Sequence, residues 1–449
     1  MPMKFVCTQC GYESAKWLGR CPSCGEWNTF REMKSTEKSK TWVSPTLKSS
    51  PVQIRKVKEL VSKEQRRHES GLSEWDRVLG GGLVAGSLVL MGGDPGIGKS
   101  TLALQIASRI AQKGVSVLYA SGEESVDQIL ARAQRLQIDT EHLWIVSLSA
   151  ISDILEVAKD LHPAVLFVDS IQTVIREENP SPPGSVSQVR DCGVTFLQFA
   201  KQTQTTVVMI GHVTKDGTLA GPRTLEHMVD VVLYLEGHPT GLRILRATKN
   251  RFGSVDEVGL FEMSERGLQE IQDPSGLFLV QRKKPQPGVV VIPVMEGIRP
   301  LLLEVEALVA HTPFSMPQRN VTGFEMRRLA MILALIENRV GVSLRAYDVF
   351  VNVTRGMRIT ESAADLGVAL AILSSYFKKP LPTKTVVLGE LGLTGEVRPI
   401  REMKRRLTEA KRLGFRKVIL PAGVDLNAQK GIEVIPVSTI QEAVESCFS

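Results

Sequence analysis

Four cysteines stand within the first 24 residues, as Cys7-Thr8-Gln9-Cys10 and Cys21-Pro22-Ser23-Cys24, with Gly11 and Gly25 directly after the two pairs. Two CxxC corners can present four thiolates to one tetrahedral zinc ion. That set leaves no open coordination position, so the expected role of Cys7, Cys10, Cys21 and Cys24 is structural. About thirty residues bury too little apolar surface to fold unaided, and the metal is expected to supply on the order of 10 kcal/mol to the module. Cys192 and Cys447 have no such neighbours and read as ordinary residues.

A second constellation is Gly92-Gly93-Asp94-Pro95-Gly96-Ile97-Gly98-Lys99-Ser100-Thr101, placed between the apolar run Ser87 to Met91 and a helical stretch through Ile110. Glycines there let backbone N–H groups wrap phosphate oxygens, and the helix start favours the anion. This is a complete Walker A loop, so Gly93 to Thr101 are expected to hold ATP. Lys99 would reach the outer phosphates and Ser100 would ligate magnesium. The apolar run Ala164 to Val168 ends at Asp169, the position of a Walker B carboxylate that shares the magnesium. Hydrolysis also needs a group to orient water, and Ser121-Gly122-Glu123-Glu124 offers Glu123 first and Glu124 second.

Two further segments are less determined. Gly211-His212-Val213-Thr214-Lys215 follows the apolar run Thr206 to Ile210, so His212 is either a γ-phosphate sensor or a satisfied core histidine. The stretches Arg176 to Arg190 and Lys215 to Arg223 carry spaced cations among Gly and Pro, suited to a phosphate backbone or to plain surface loops. Lys215 and Arg223 are the DNA-contact candidates there.

The elements that must position these groups are legible as an alternation. Strand patterns at Val115 to Ala120, Leu143 to Val146, Ala164 to Val168 and Thr206 to Ile210 are separated by helical patterns at Ser125 to Leu136 and up to Leu161. Such alternation predicts an α/β fold with a parallel sheet and crossover helices. Lys, Ser, Thr and Pro without periodicity over Arg31 to Arg55 read as a linker. From about Ser275 the pattern turns β-rich, at Gly288 to Met295 and Leu301 to Leu308, before a helical Glu325 to Ile336.

Length and composition agree. At 449 residues the chain exceeds one ordinary core, and 43% apolar with 23% charged residues excludes wholesale disorder and fibrous structure. No apolar run reaches the roughly 18 to 20 residues that span a bilayer, and Met1 to Cys10 lacks a secretory h-region, so a cytoplasmic protein with no membrane partner is expected. A net charge of +7 permits nucleic-acid binding without requiring it.

Taken with the motifs above, Lys249-Asn250-Arg251-Phe252-Gly253 makes the chain resemble the bacterial RadA (Sms) family across essentially its whole length. The resemblance implies a RecA-like P-loop ATPase core, a four-cysteine zinc finger and an α+β domain like that of the Lon protease. The expected divisions are 1–30, the linker 31–55, 56–274 and 275–449. It further implies a homo-hexameric, ring-shaped, DNA-dependent ATPase in repair and recombination that drives branch migration. Single-stranded and branched DNA and a RecA-type recombinase are the implied partners, and ATP, magnesium and zinc the cofactors. Lys249 and Arg251 would then act in trans on a neighbour's nucleotide, as an arginine finger does.

In the Lon-like region Thr360-Glu361-Ser362-Ala363-Ala364-Asp365 puts Asp365 where that protease has its nucleophilic serine, while Lys404 falls at its lysine. A carboxylate cannot act as that serine, so a proteolytically inactive domain is expected, with Asp365 and Lys404 as a structural ion pair. Nine Lys or Arg between Arg398 and Lys417 make Lys404, Arg405 and Arg406 further DNA-contact candidates, or a solvated face. Two other readings stay open: an ATP-switched scaffold for protein partners, and an ATP-dependent protease.

Overall fold

The structure is a computed structural model and describes residues 4–7, 13–14, 16–22, 25, 27–33, 66–211, 223–237, 241–271, 273–280, 282, 284–313, 316–424 and 431–448. The described chain divides into two compact units, Met1–Gly237 with Arg243–Glu270, and His238–Leu242 with Ile271–Ser449.

In the first unit, β1 (Lys4–Cys7) pairs antiparallel with β2 (Glu13–Ser14) and β3 (Phe30–Met33). Arg31 to Met33 therefore belong to a strand, not to the expected linker, whose remainder lies outside the described residues. After a short pair, β4 (Arg67–His68) with β5 (Leu83–Val84), which brackets α1 (Ser73–Leu79), the main domain follows. Its elements are β6 (Leu88–Gly93), α2 (Lys99–Gln112), β7 (Val117–Ser121), α3 (Val126–Arg135), β8 (Leu143–Ser147), α4 (Ile151–Leu161), β9 (Val165–Asp169), α5 (Val186–Thr203) and β10 (Thr206–Ile210). Then come α6 (Arg223–Glu226), β11 (Val231–Gly237), β12 (Leu242–Asn250), β13 (Val258–Ser264) and β14 (Gly267–Glu270).

These strands form one nine-stranded sheet in the order β14-β13-β12-β11-β6-β10-β9-β7-β8. From β11 to β8 every pairing is parallel, while β11 with β12 and β13 with β14 run antiparallel. The central strands are continuous apolar runs because both faces are covered. Successive residues alternate between two cores: Val89, Met91, Tyr119, Phe167 and Val208 enter one, and Leu88, Leu90, Leu118, Leu166 and Val207 the other. Helix α2 packs its Leu102, Ile106 and Ile110 into the first core, and α5 packs Val189, Phe196 and Phe199 into the second. Helix α3 begins where expected, at a capping box in which Ser125 and Gln128 satisfy each other's backbone N–H groups. The parallel half was legible as strand and helix alternation. The antiparallel edge was not.

In the second unit, α7 (Pro274–Phe278), β15 (Val289–Glu296), β16 (Arg299–His311), β17 (Arg319–Thr322), α8 (Met326–Leu335), β18 (Tyr347–Val353) and α9 (Asp365–Phe377) come first. They are followed by β19 (Thr385–Val387), β20 (Glu390–Leu391), β21 (Val397–Arg398), α10 (Met403–Arg412), β22 (Lys417–Pro421), β23 (Glu433–Val437) and α11 (Ile440–Phe448). Seven strands form a mixed sheet, β17-β18-β16-β15-β19-β22-β23, and β20 pairs with β21 alone. Helix α9 is buried from Asp365 to Ser374 and packs on β15 and β16. Strand β16 is longer than the sequence pattern suggests, because its exposed end continues to pair with β18 through His311.

Candidate active site

The loop between β6 and α2 lies at the carboxyl ends of the parallel strands, where crossover connections leave a crevice. Its glycines are there for space. At Gly93 a Cβ would stand 2.5 Å from the Leu235 carbonyl, and at Gly98, with φ +112, it would meet Met263 and Leu268 of the β13–β14 hairpin at 2.6 and 2.9 Å. Lys99 is 3% exposed and donates to the Gly93 and Asp94 carbonyls at 2.9 and 3.0 Å. Burial pushes its ammonium down from the usual lysine range, against the opposing charges of Asp169, Glu123 and Asp94. Arg243, at the start of β12, donates Nε to the Ile97 carbonyl at 3.1 Å and braces the loop from the antiparallel edge.

Asp169 ends β9 next to β7 and is buried. Tyr119 donates its hydroxyl to Asp169 Oδ2 at 2.6 Å, and Ser100 also hydrogen-bonds the carboxylate. Burial raises the Asp169 carboxyl, and these two donors pull it back toward the ionised form. Burial, with the Asp169 charge beside it, holds the Tyr119 phenol well above its usual range, so it remains a donor. Ser100 and Asp169 thus meet on one spot with hard oxygens, a donor set that fits magnesium.

The two glutamates diverge. Both backbone N–H groups bond Ser121 Oγ, at 3.3 Å for Glu123 and 3.1 Å for Glu124. Glu124 is taken up in an ion pair with Arg132 of α3, whereas Glu123 receives the hydroxyl of Ser170, the neighbour of Asp169, and bears on Lys99. Lys99, Ser100, Thr101, Arg132 and Arg135 line a cavity of about 640 Å³ closed on one side by the Met263 to Gly267 turn. Arg132, Arg135, Tyr119 and Arg243 went unnoticed in the sequence. A helical spacing of three between the arginines, about two turns beyond the Glu pair, was the available signal for two of them.

Lys249 and Arg251 do not join this site. Strand β11 pairs Val231 with Val89 and Leu235 with Gly93, and β12 returns antiparallel so that Asn250 faces Val231. The cations therefore sit at the amino end of β6, four strand residues or roughly 13 Å from the loop at its other end. Lys249 donates to the Glu226 and His227 carbonyls at 2.7 and 3.2 Å, and burial followed by the Arg251 charge lowers its ammonium. Arg251, more than half exposed, pairs with Asp230 at 3.3 Å. Asp230 is buried and also accepts from Lys201 and from the Leu88 N–H. Asn250 bonds the Val78 carbonyl and the Phe252 N–H, and Gly253 lies close against Gly80, so the pentapeptide is a braced corner.

Other expected residues fall elsewhere. Cys7 and Cys21 are buried in one small cluster with Phe30, and the Cys7 thiol reaches Thr29 Oγ1 at 3.1 Å. Two buried cysteines in one cluster, Cys7 at the end of β1 and Cys21 in the segment after β2, fit half of a zinc site, while Cys10 and Cys24 lie outside the described residues. His212 and Lys215 also lie outside them, and Arg223 opens α6. Of the expected loop Arg176 to Arg190, Val186 to Arg190 are the first turns of α5, and the rest is held against that helix by Gln188, whose Nε2 donates to the carbonyls of Arg176, Asn179 and Ser181.

The C-terminal candidates separate sharply. Lys404 and Arg405 are exposed on α10, with Arg405 near Glu402 at 3.4 Å. Arg406 is only 2% exposed and cannot meet DNA: it bonds both Glu361 oxygens at 2.7 and 2.5 Å and the Pro293 carbonyl at 2.6 Å. The ion pair of Asp365 is with Arg328, not Lys404; both carboxylate oxygens are engaged, at 2.5 and 2.7 Å. Ser362 gives its hydroxyl to Glu390.

Three family models match parts of the chain: an AAA domain over residues 56–218, a rubredoxin metal binding domain over 5–32, and the ChlI subunit of Mg-chelatase over 311–424. Full-length likeness decides the family. A DNA repair protein RadA from Halalkalibacterium halodurans is 46% identical over 453 residues, covering 98% of each chain. The chain belongs to the RadA family. The RadA proteins of Bacillus subtilis and Pseudomonas aeruginosa are 45% and 43% identical, each covering 99% of this chain and 98% of the relative. A KaiC-like protein from Pyrococcus horikoshii aligns over 46% of this chain and all of its own at 20% identity, with a TM-score of 0.39. The chain thus combines a P-loop ATPase core with an N-terminal zinc ribbon and a Lon-like C-terminal domain. Among the described residues no helix is long and apolar enough to cross a membrane.

Proposed function

We propose that this chain is a DNA-stimulated ATPase of repair and recombination whose active sites are shared between the subunits of a ring. The observation that carries the reading is a division of labour. Lys99 and Ser100 line one cavity and have Asp169 and Glu123 close behind them, while Lys249 and Arg251 stand at the far end of the same sheet. Within one subunit those two cations cannot reach the phosphates, so any part they take in hydrolysis is taken on a neighbour.

Gly93 to Thr101 hold the triphosphate, with Lys99 on its outer phosphates. Glu123 rather than Glu124 orients the attacking water, because Glu124 is committed to Arg132. Magnesium, held by Ser100 and Asp169, would neutralise phosphate charge. Cys7, Cys10, Cys21 and Cys24 hold a structural zinc. Lys249 and Arg251 stabilise the transferring phosphate in trans, and a hexameric ring moving on single-stranded and branched DNA beside a RecA-type recombinase would drive branch migration. Lys404 and Arg405, with Lys215 and Arg223, are the DNA-contact candidates that remain. The buried pairing of Asp365 with Arg328 supports a C-terminal domain without proteolysis.

The test is ATP hydrolysis with and without single-stranded DNA at about 50 and 200 mM salt, for the wild type, Lys99→Ala, Arg251→Ala and an equimolar mixture of the two variants. DNA stimulation in the wild type, its loss in each variant and partial recovery in the mixture are expected. Hydrolysis that DNA never stimulates would favour a nucleotide-switched scaffold, and no recovery on mixing would remove the trans assignment.

A further inference from the structure

A module too small to bury much apolar surface would be expected to use every large ring it has. The N-terminal module does the opposite. Its buried cluster holds Cys7, Cys21 and Phe30, flanked by Phe5 and Leu18, while Trp17 and Trp27 are 53% and 67% exposed. Trp75, in the nucleotide-binding core, is fully buried. The two exposed rings share one place: a Cβ added at Gly19 would stand 3.8 Å from Cζ3 of both. Arg20 pairs in backbone register with Trp27, donates Nε to the Gly25 carbonyl at 2.9 Å and holds its guanidinium 5.8 Å from the Trp27 ring centre. Lys16 and Arg31 are exposed on the same small module.

Charge says what such a surface suits. Residues 1–65 contain twelve Lys or Arg against six Glu and no Asp, a net +6 within a chain whose total is +7. Most of that excess lies in residues 34–65, with eight Lys or Arg against three Glu, directly after a module whose own balance is four against three. Exposed aromatic rings beside cations form the usual platform for single-stranded nucleic acid, since every base has a face to stack and every nucleotide a phosphate to neutralise. We infer that Trp17 and Trp27 are a base-stacking contact for single-stranded DNA, with Arg20 and the surrounding cations on its phosphates. This rests on the DNA-coupled reading above and adds to it which part of the chain touches the bases.

The experiment measures binding of the full-length protein to labelled oligo(dT) and to an abasic strand of the same length, for the wild type, Trp17→Ala/Trp27→Ala and Trp17→Phe/Trp27→Phe, with bound zinc assayed in each. The alanine pair should lose about tenfold to a hundredfold in affinity for oligo(dT), from stacking worth on the order of 1–3 kcal/mol per base. The phenylalanine pair should stay within about threefold, and all three should bind the abasic strand alike. Tryptophan emission gives a second readout that does not depend on the alanine pair keeping its zinc: oligo(dT) should quench the wild type, and the phenylalanine pair should lose that quench. Unchanged oligo(dT) affinity in a zinc-loaded alanine pair, an equal loss on the abasic strand, or a quench that survives in the phenylalanine pair would each overturn the contact. Those outcomes leave wild-type DNA binding intact, whereas a wild type that binds neither strand fails the DNA-coupled reading itself.

Discussion

Both units bury charge, and they treat it differently. Around the phosphate loop Lys99 lines an open cavity with Asp169 and Glu123 acting on it from behind, and the partners of the three are neutral hydroxyls and carbonyls as much as opposite charges. In the C-terminal unit, Asp365 is closed by Arg328, Arg406 by Glu361, and Glu304 by Arg282. The first arrangement keeps electrostatic capacity for a charged ligand. The second spends it inside the fold, where two opposed charges with satisfied hydrogen bonds tolerate the loss of water. A buried ion is thus a sign of chemistry only where a cavity reaches it.

The largest effects should separate the two kinds of charge. Lys99→Ala should lower kcat for ATP by at least about a hundredfold, the scale set by removing one preorganised donor to transition-state charge, while the melting transition of the second unit stays in place. Retained turnover would move the phosphate contact elsewhere. Next, Glu123→Gln should cost about a hundredfold or more in kcat, and Glu124→Gln less than about tenfold, as a group that orients water differs from one that holds an arginine. Steady-state kinetics at saturating ATP would decide it, and the reverse order would exchange their roles.

In the closed region the readout changes from rate to stability. Arg406→Ala should destabilise the C-terminal unit by about 3 kcal/mol, because it strands Glu361, and lower its melting temperature by roughly 6–12 °C. Lys404→Ala, two residues earlier and exposed, should shift stability by less than about 0.5 kcal/mol. Equal effects would mean that the buried pair contributes nothing special.

The smallest effect concerns a neutral buried group. Burial pushes the Cys192 thiol up to about 12. The folded state thus favours the protonated form, so its contribution to stability is complete below the ordinary thiol value near 8.5 and fades as pH rises toward 12. Iodoacetamide at pH 9 should label Cys192 only as the domain unfolds, as read by peptide mass spectrometry. Fast labelling of the folded protein would place the thiol in contact with solvent.

Much of the nucleotide site was legible because its chemistry is local. Gly93 to Thr101 need only neighbouring backbone and one strand end, and Asp169 only the strand before it. Spacing ranks Glu123 before Glu124 and no more; the contacts that separate them, Arg132 of α3 on Glu124 and Ser170 at the end of β9 on Glu123, are tertiary. The burial of Arg406 does leave a signal in the sequence. Met403, Arg406, Leu407 and Ala410 follow the spacing of one helix face, and that face is the buried one. A run of cations hides such a face when charge is counted without periodicity.

The amino-acid sequence by itself determined the spacing of the two CxxC pairs, the phosphate loop, the parallel half of the sheet and the family, all properties of residues close along the chain or of its whole-length likeness. Tertiary structure alone decided which glutamate faces Lys99, that Lys249 and Arg251 lie away from their own phosphate loop, and that Asp365 belongs to Arg328. Each of those depends on strand register or on side chains meeting across tens or hundreds of residues, and register is set by the packing of the whole sheet.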